Sequence, residues 1–398
     1  MKEWKTYRVG DICSSISETY KVHAKEVVLI NTSDVLEGRC LNHEFVPNKD
    51  LKGQFKKVFK FGDILYSEIR PANKRFAYID FDATNYIAST KLMVIRNNDK
   101  VTNRFLYHYL KSESTIAELQ ALAESRSGTF PQITFSELSQ LEISIPDIET
   151  QVAISSFIDT LESKIELNRQ INDNLEQQAQ TLYKSWFVDF EPFKDGNFVE
   201  SELGLIPEGW EVRNIYKYTD VIYGAPYKSS LFNENNEGHP LIRIRDLKSF
   251  APQFYTQEIL PQTEYIIAGD VVAGMDAEFT PYIWQGEKGV LNQRCCKFKG
   301  QYPWVSNYYL LNLLKPELEY VQSYKTGTTV SHLGKADIDR FNVITPPESI
   351  VKAFSVIVNS LLEQKIKSAN EIRSLTKTRD ILLPKLMSGG LKINEIDC

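Results

Sequence analysis

Cysteine is scarce and unpatterned in this 398-residue sequence. Cys13, Cys40, Cys295, Cys296 and Cys398 fit neither a disulfide framework nor a zinc spacing, so they read as reduced side chains of a cytoplasmic protein. The five histidines, His23, His43, His108, His239 and His332, have no ligand-like spacing to cysteine or carboxylate, which leaves no metal site to nominate. No basic-then-apolar leader opens the chain and no uncharged run reaches about 18 apolar residues, arguing against secretion and membrane spanning. Net positive charge is missing too: the formal charge is −6. That balance argues mildly against a nucleic-acid partner, but it is uneven. Residues 146 to 200 hold 11 acidic and 4 basic residues, so the rest of the chain is free to present local positive faces.

Catalytic signatures are equally absent. No G-x-G-x-x-G follows a strand pattern and no G-x-x-x-x-G-K-[ST] occurs, so the glycine loops that cradle phosphates are lacking. Thr345-Pro346-Pro347-Glu348 shares only its prolines with the [ND]-P-P-[YF] tetrapeptide of adenine methyltransferases, and it opens a helical pattern instead. Gly389-Gly390 follows the last helical pattern and reads as a breaker. A self-contained enzyme acting on DNA is therefore disfavoured, and no catalytic residue is nominated.

What is present is a duplication. GTFPQITFSELSQLEISIP (128 to 146) returns as GTTVSHLGKADIDRFNVITP (327 to 346), with Gly128 matching Gly327, Ile133 matching Leu333, Leu138 matching Ile338 and Pro146 matching Pro346. Upstream, Gly62-Asp63 corresponds to Gly269-Asp270. A unit of domain size thus occurs twice, unlike a solenoid of many short repeats. In the first copy VVLINTSDV (27 to 35) and ASTKLMVIR (88 to 96) each read as a strand, FKFGDILYSEI (59 to 69) places a turn between apolar runs, and NRFLYHYLKS (103 to 112) reads as a helix. The second copy repeats the order with GWEV, HPLIRIRDL, YIIAGDVVAG, GVLNQRCCKF and VSNYYLLNLLKP. With 42% apolar residues, 20 Tyr and 21 Phe, each copy can build a core.

Beyond each proline the apolar period changes from two to about three and a half. Ile154, Ile158, Leu161, Ile165, Asn168, Asn172, Leu175, Ala179, Leu182 and Trp186 form a coiled-coil seam with Asp147 as N-cap. Phe354, Val358, Leu361, Ile372, Leu375, Leu382 and Leu386 form a second, which Lys365 and Arg379 interrupt. A helix of about 38 residues is a rod of roughly 57 Å, and its apolar stripe needs a partner of matching length. The expectation is a mixed α/β protein: two globular domains joined by two long antiparallel coiled-coil helices and related by a pseudo-twofold axis. Asn168 and Asn172 would lie mid-seam and fix register if they met each other. The expected division is residues 1–146, a first spacer helix with a docking segment over 147–198, residues 199–346, and a second spacer helix with tail over 347–398.

The duplicated exits, the helix opening ETQVAISSFIDTLESKIELNRQI, the lead-in GLIPEGWEV (204 to 212) and the close LTKTRDILLPKLMSGGLKI together resemble the specificity subunit of Type I restriction-modification enzymes, over essentially the whole chain. The resemblance implies two target-recognition domains, each reading one half of a bipartite, asymmetric site on double-stranded DNA, with an unread spacer between. It implies two modification (methyltransferase) subunits as partners, which carry S-adenosylmethionine and methylate adenine N6, and motor-nuclease subunits that use ATP and Mg. By the same likeness no cofactor is bound by this chain and no membrane is involved. A rod of roughly 57 Å spans about 17 base pairs at 3.4 Å, compatible with two half-sites one to one and a half turns apart. Four residues inserted near Asn168 to Asn172 would then lengthen the gap by one or two base pairs. A two-armed scaffold for proteins, without sequence-specific DNA binding, would share the same composition and coil. A DNA footprint with two protected patches separates the two readings.

Candidate DNA-binding residues follow from the basic and polar stretches. In the first copy they are Lys21, Lys25, Arg39, Arg70, Lys74, Arg75 and Lys91, with SEIRPANKR (67 to 75) expected to loop around Pro71. SRSGTF and KTGTT, at the two exits, contribute Arg126, Thr129, Lys325 and Thr328, because glycine beside basic and hydroxyl groups lets a backbone approach phosphate. In LIRIRDL, alternation would put Arg243 and Arg245 on one strand face, with Asp246 able to hold one of them. Tyr223, Lys228, Asp276, Glu278, Arg294, Ser331 and His332 complete the set, Asp276 as an acceptor from cytosine N4 where a neighbouring arginine orients it. Trp186, Phe187, Phe190 and Phe193 crowd the end of the first long helix, where they would pack on the adjoining domain or dock a modification subunit.

Overall fold

A computed structural model of the chain describes residues 4–22, 24–49, 53–126, 129–325 and 331–395. The chain divides into two compact units, residues 1–163 with 376–398 and residues 164–375, so the division runs through both long helices. The fold class is the expected one: mixed α/β globular parts, and two long helices that run antiparallel where they meet.

In the first unit, strand Lys5–Arg8 pairs antiparallel with Glu142–Ile145, closing the start of the domain on its exit. Two four-stranded sheets lie between. One orders Cys13–Ile16, Leu92–Asn97, Ile64–Ser67 and Phe76–Tyr78; the other orders Val46–Pro47, Glu26–Ile30, Tyr86–Ser89 and Phe55–Lys57, with Tyr86–Ser89 parallel to Glu26–Ile30. Helix Asn103–Leu110, capped by the Thr102 hydroxyl, buries Phe105, Leu106 and Leu110 against Ile64, Tyr66 and Met93. Ile154 and Ile158 of the first long helix and Leu383 and Leu386 of the second join that core.

The second unit repeats the plan. Glu211–Asn214 closes on Asn342–Thr345, and Thr219–Tyr223, Cys295–Gly300, Val271–Gly274 and Pro281–Ile283 form the equivalent four-stranded sheet. His239–Ile242 runs parallel to Gly289–Leu291 within the companion sheet, as the corresponding pair does in the first unit. Adjacent Cys295 and Cys296 illustrate the two-sided burial: period-two alternation sends one into each of two separate cores. Burial pushes the Cys296 thiol up to about 12, which keeps it protonated near neutral pH.

Gly62-Asp63 and Gly269-Asp270 make the same turn for the same reason. Both glycines take positive φ, +87° and +100°, where a Cβ would be strained. Each aspartate then accepts a bond of 2.9 Å from the amide three residues earlier, Lys60 and Ile267.

The long helices, Ile148–Phe187 and Glu348–Met387, are 40 residues each. Asp147 caps the first, accepting from the Thr150 amide at 3.1 Å. Within the second unit, Asn168 meets Ser368 and Glu371 while Glu176 meets Lys365, fixing antiparallel sense. The basic residues that interrupt the second seam are balanced by acids of the first helix: Lys365, only 3% exposed, by Glu176, and Arg379 by Glu162 at 3.9 Å.

Three sequence expectations are corrected here. Asn168 and Asn172 do not meet each other. Asn168 reaches across the seam, whereas Asn172 turns to Gln285 of the globular part at 3.4 Å and keeps a buried Oδ1 without a partner. Residues 88 to 96 and 289 to 298 are not single strands; each breaks into two at a corner, around Thr90-Lys91 and Asn292–Arg294. Finally, the His239 strand stops at Ile242. Arg243 and Arg245 therefore belong to a capped 3-10 turn and do not share a strand face.

Candidate nucleic-acid interface

The two corners, one in each unit, frame a candidate site. In the first unit the main chain leaves strand Ile64–Ser67, passes Glu68, Ile69 and Arg70, and is held between the Lys91 corner and the exit segment 131 to 133. The Glu68 amide donates to the Lys91 carbonyl at 3.0 Å, the Ile133 amide to Glu68 at 2.9 Å, and the Arg70 amide to Pro131 at 3.1 Å, while Ile69 bridges Gln132. The second unit makes the same set. The Met275 amide donates to Arg294 at 2.8 Å, Leu333 to Met275 at 2.7 Å, and Ala277 to Ser331 at 3.0 Å, while Asp276 bridges His332. Ile133 and Leu333 are fully buried and pin the exits. Even the strain repeats: Arg70 and Ala277, equivalent residues and neither a glycine, both take left-handed backbone, φ +44° and +62°.

Side chains on this shared backbone differ. In the first unit Lys91 Nζ lies 3.4 Å from Gln132 Oε1 and 3.6 Å from Glu68, and Arg70 Nη2 donates to the Thr129 carbonyl at 3.3 Å. In the second, Arg294 Nη1 donates to Asp276 Oδ2 at 2.8 Å, and His332 Nδ1 lies 2.6 Å from Asp276 Oδ1. Arg294 and His332 remain about half exposed, at 55% and 48%. Arg70, Lys91, Thr129, Asp276, Arg294, Ser331 and His332 are thus brought to one loop cluster in their respective units. Glu278 sits beyond the corner, accepting from Tyr282. Gln132 and Glu68 were not nominated, although alignment of Ile133 with Leu333 already set Gln132 opposite His332.

The remaining candidates are placed elsewhere or already engaged. Arg126 pairs with Glu137, and Lys325 with Asp337. Those carboxylates cap the short helices Phe135–Leu138 and Lys335–Ile338, so the basic residue recurring at both exits has a structural use. Thr328 lies outside the described residues. Lys74 pairs with Glu113 across the Pro71–Asn73 turn, and Arg75 donates to the Ser33 carbonyl at 3.0 Å. Lys21 and Lys25 stand before strand Glu26–Ile30, and Arg39 stands on strand Arg39–Cys40. Tyr223 ends its strand, and the Lys228 amide donates to Glu258. Arg245 lies in the 3-10 turn, while Arg243 is mostly buried, bonded to Asp246 at 3.3 Å and stacked 4.3 Å over Phe254.

The aromatic cluster ending the first long helix also turns inward. Phe187 is buried against Tyr309 and Phe354, Phe190 and Phe193 meet Trp210, and Trp186 meets Phe354. Packing on the adjoining domain thus engages all four rings, Phe187 buried and the other three partly exposed. The exposed apolar residues nearby are Val188, Phe198, Val199, Leu203 and Leu205, the last four on or between the hairpin strands Phe198–Ser201 and Gly204–Pro207.

One further cluster joins His108, Asp159 and Glu162, whose ligand-type atoms lie within 4.8 Å of one another. Arg104 and Lys111 pair with the two carboxylates, so their charge is already balanced. Burial pushes the His108 pKa down despite its bond to Asp159. Burial alone would raise the Asp159 carboxyl, but the His108 and Arg104 bonds outweigh it and hold it at about 2. Among the described residues, no helix is long and apolar enough to cross a membrane.

Known proteins share this organisation. The specificity subunit of the Type I restriction enzyme HindI from Haemophilus influenzae is 33% identical, over 98% of this chain and all of its own length. That of MjaIX from Methanocaldococcus jannaschii is 27% identical, over 88% of this chain and 82% of its own. The crystal structure of a Type I restriction-modification system S subunit from M. genitalium superposes with a TM-score of 0.53 at 16% identity, covering 97% of this chain and 96% of that one, which speaks for the fold alone. The pattern of the Type I restriction modification DNA specificity domain matches residues 1–177 and again 207–372, one match for each copy of the duplication. The chain belongs to this family, that of the Type I restriction enzyme specificity subunits.

Proposed function

We propose that the chain is the sequence-specific DNA-binding subunit of a Type I restriction-modification complex and reads a bipartite, asymmetric target. The observation that carries this is the shared backbone at 68–70, 91 and 131–133 and at 275–277, 294 and 331–333, which presents Lys91 and Gln132 in one unit and Arg294, Asp276 and His332 in the other. Identical support for different polar groups suits two readers of different sequences. The chain itself carries out no chemistry in this reading. Modification subunits bound to it supply S-adenosylmethionine for adenine N6 methylation, and motor-nuclease subunits supply ATP- and Mg-dependent cleavage. The exposed apolar hairpin at 198 to 207, within an acidic stretch, suits contact with a basic protein partner better than contact with phosphate. Footprinting of the assembled complex is the test. Two protected patches flanking an unprotected gap are expected, and a complex that protects no preferred sequence refutes the proposal in favour of a protein scaffold.

A further inference from the structure

The duplication supplies an internal comparison, since two copies of one backbone show which side chains vary where nothing else does. Five pairs on that backbone differ in chemistry: Glu68 and Met275, Ile69 and Asp276, Arg70 and Ala277, Pro131 and Ser331, and Gln132 and His332. Lys91 and Arg294 keep a cation of different shape, and Ile133 and Leu333 stay apolar. Asp276, Arg294 and His332 adjoin the strained residue Ala277 or the corner that faces it. Left-handed backbone at a non-glycine residue persists only where the surroundings enforce it, and such sites cluster where a ligand is clamped. Here main-chain bonds are joined by the Ser67 hydroxyl, which accepts from the Ile69 amide, and by the Gln322 side-chain amide, which donates to the Ala277 carbonyl. None of these bonds uses the side chains at 91, 132, 276, 294 or 332, so those are placed without being dictated.

We propose, resting on the DNA-reading function above, that Arg294 of the second unit reads a guanine by donating to its O6 and N7 atoms, with Asp276 and His332 as the residues that position it. Arg294 spends Nη1 on Asp276 Oδ2, which leaves Nε and Nη2 to donate in a fork. The second carboxylate oxygen of Asp276 is held by His332, so the carboxylate cannot swing away from the guanidinium. Anchoring at both ends lowers the entropy lost when Arg294 meets a base.

Phosphate is the competing ligand, and charge decides against it. The Asp276 carboxylate neutralises Arg294 and repels a phosphate oxygen, whereas a guanine edge offers two neutral acceptors and needs no net charge. The matching group in the first unit, Lys91 beside Gln132, lacks the fork on its cation and carries an amide instead. Gln132 is suited to the N6 and N7 atoms of adenine, so the two half-sites differ at the equivalent base pair.

The test is selection from a randomised duplex library by the full chain purified together with its modification subunits, followed by sequencing of the bound DNA. Wild type, R294Q, R294K, H332A and Q132A are compared, with thermal melting to verify folding. R294Q should lose preference at one G·C pair of one half-site, by about 5- to 150-fold, and leave every other position intact. R294K should lose most of that discrimination although it keeps the charge, because a point charge does not replace a planar fork. H332A should weaken the same position less, and Q132A should relax one position of the other half-site. A uniform fall in affinity across all sequences in R294Q marks a phosphate contact and overturns the inference. So does R294Q selecting the wild-type sequence, or R294Q and Q132A altering the same half-site. Failure of the wild-type complex itself to select any sequence would instead remove the DNA-reading function on which the inference stands, and the two results are read from separate arms.

Discussion

Arg96 clasps Asp63 through two parallel bonds of 2.7 Å, Nε to Oδ1 and Nη2 to Oδ2, and the carboxylate is 1% exposed. The second unit replaces this fork with a point charge: Lys297 Nζ lies 3.0 Å from Asp270 and also 2.9 Å from Glu264. Removing the aspartate should therefore cost more in the first copy. Asp63→Ala leaves a partly buried guanidinium without its carboxylate, a loss of about 3 kcal/mol, whereas Asp270→Ala leaves Lys297 with Glu264 and should cost about 1 kcal/mol. Hydrogen exchange of peptides around residues 60 to 67 and 267 to 274 reports each unit separately, and equal deprotection in the two variants would contradict the difference.

The buried Lys365 makes a sharper asymmetry. Its ammonium has Glu176 as its ion-pair partner, so Glu176→Ala strands a buried charge and should destabilise by about 3 kcal/mol. Lys365→Met removes the charge along with its need and keeps the stem that fills the seam, so it should be neutral or stabilising. Helix content on heating, followed by circular dichroism, ranks the two variants.

Acid should loosen the first unit in two stages. His108 has a folded pKa below its ordinary 6.5, so the unfolded chain takes up the proton first and stability falls as pH drops below 6.5. Asp159, held at about 2 against an ordinary 3.8, contributes stability that is intact above 3.8 and lost as pH falls toward 2. The groups facing this pair are Arg104, Lys111 and Glu162. Asn103 and Asn307 make the same bond to Gly62 and Gly269, so Asn312 stands where His108 does; His108→Asn should flatten the decline that begins below pH 6.5 while leaving the lower stage. Hydrogen exchange in helix Asn103–Leu110 across pH is the measurement.

Asn168 and Asn172 should respond differently to replacement by leucine. Asn168 answers Glu371 and Ser368 across the seam; Glu371 keeps Lys164, but Asn168→Leu takes the partner of the buried Ser368 hydroxyl and should cost about 1 kcal/mol. Asn172 has a buried oxygen with no partner and lines a cavity of about 470 Å³ with Phe250, Ile372 and Arg373. Leucine there removes the orphan and fills space, so the change should lie within about 1 kcal/mol of neutral. Urea unfolding of the second unit, followed by its tryptophan fluorescence, compares them.

The sequence made the architecture readable because the signals were periodic. Heptad spacing from Ile154 to Trp186 announced a long helix, and matched exits at Pro146 and Pro346 announced the duplication. Helix Glu113–Arg126 was not read, because Ala117, Ala121 and Leu122 on its outer side blur the face formed by Ile116, Leu119 and Ala123. The site was legible in parts. Arg294, His332 and Lys91 were nominated as polar residues near strands, but ASTKLMVIR reads as one strand because Thr90 and Lys91 fit its alternation. Only pairing with separate neighbours shows that the chain turns there and sets Lys91 toward Gln132. The capping use of Arg126 and Lys325 was hidden for the opposite reason, since the sequence shows a recurring cation but not the carboxylates of Glu137 and Asp337 that it meets.

Main-chain bonds at the two corners also bear on how such a protein changes over generations. Amides and carbonyls at 68, 70, 91, 131 and 133, and at 275, 277, 294, 331 and 333, hold the loop whichever residues occupy it. A mutation at Gln132 or His332 therefore does not disturb the ladder that shapes its surroundings. With the proposed reading at these corners, recognition would drift by single steps while foldability stays put, and each copy would drift without the other. A lineage that exchanges or recombines one copy would then acquire a new address without having to rediscover a fold.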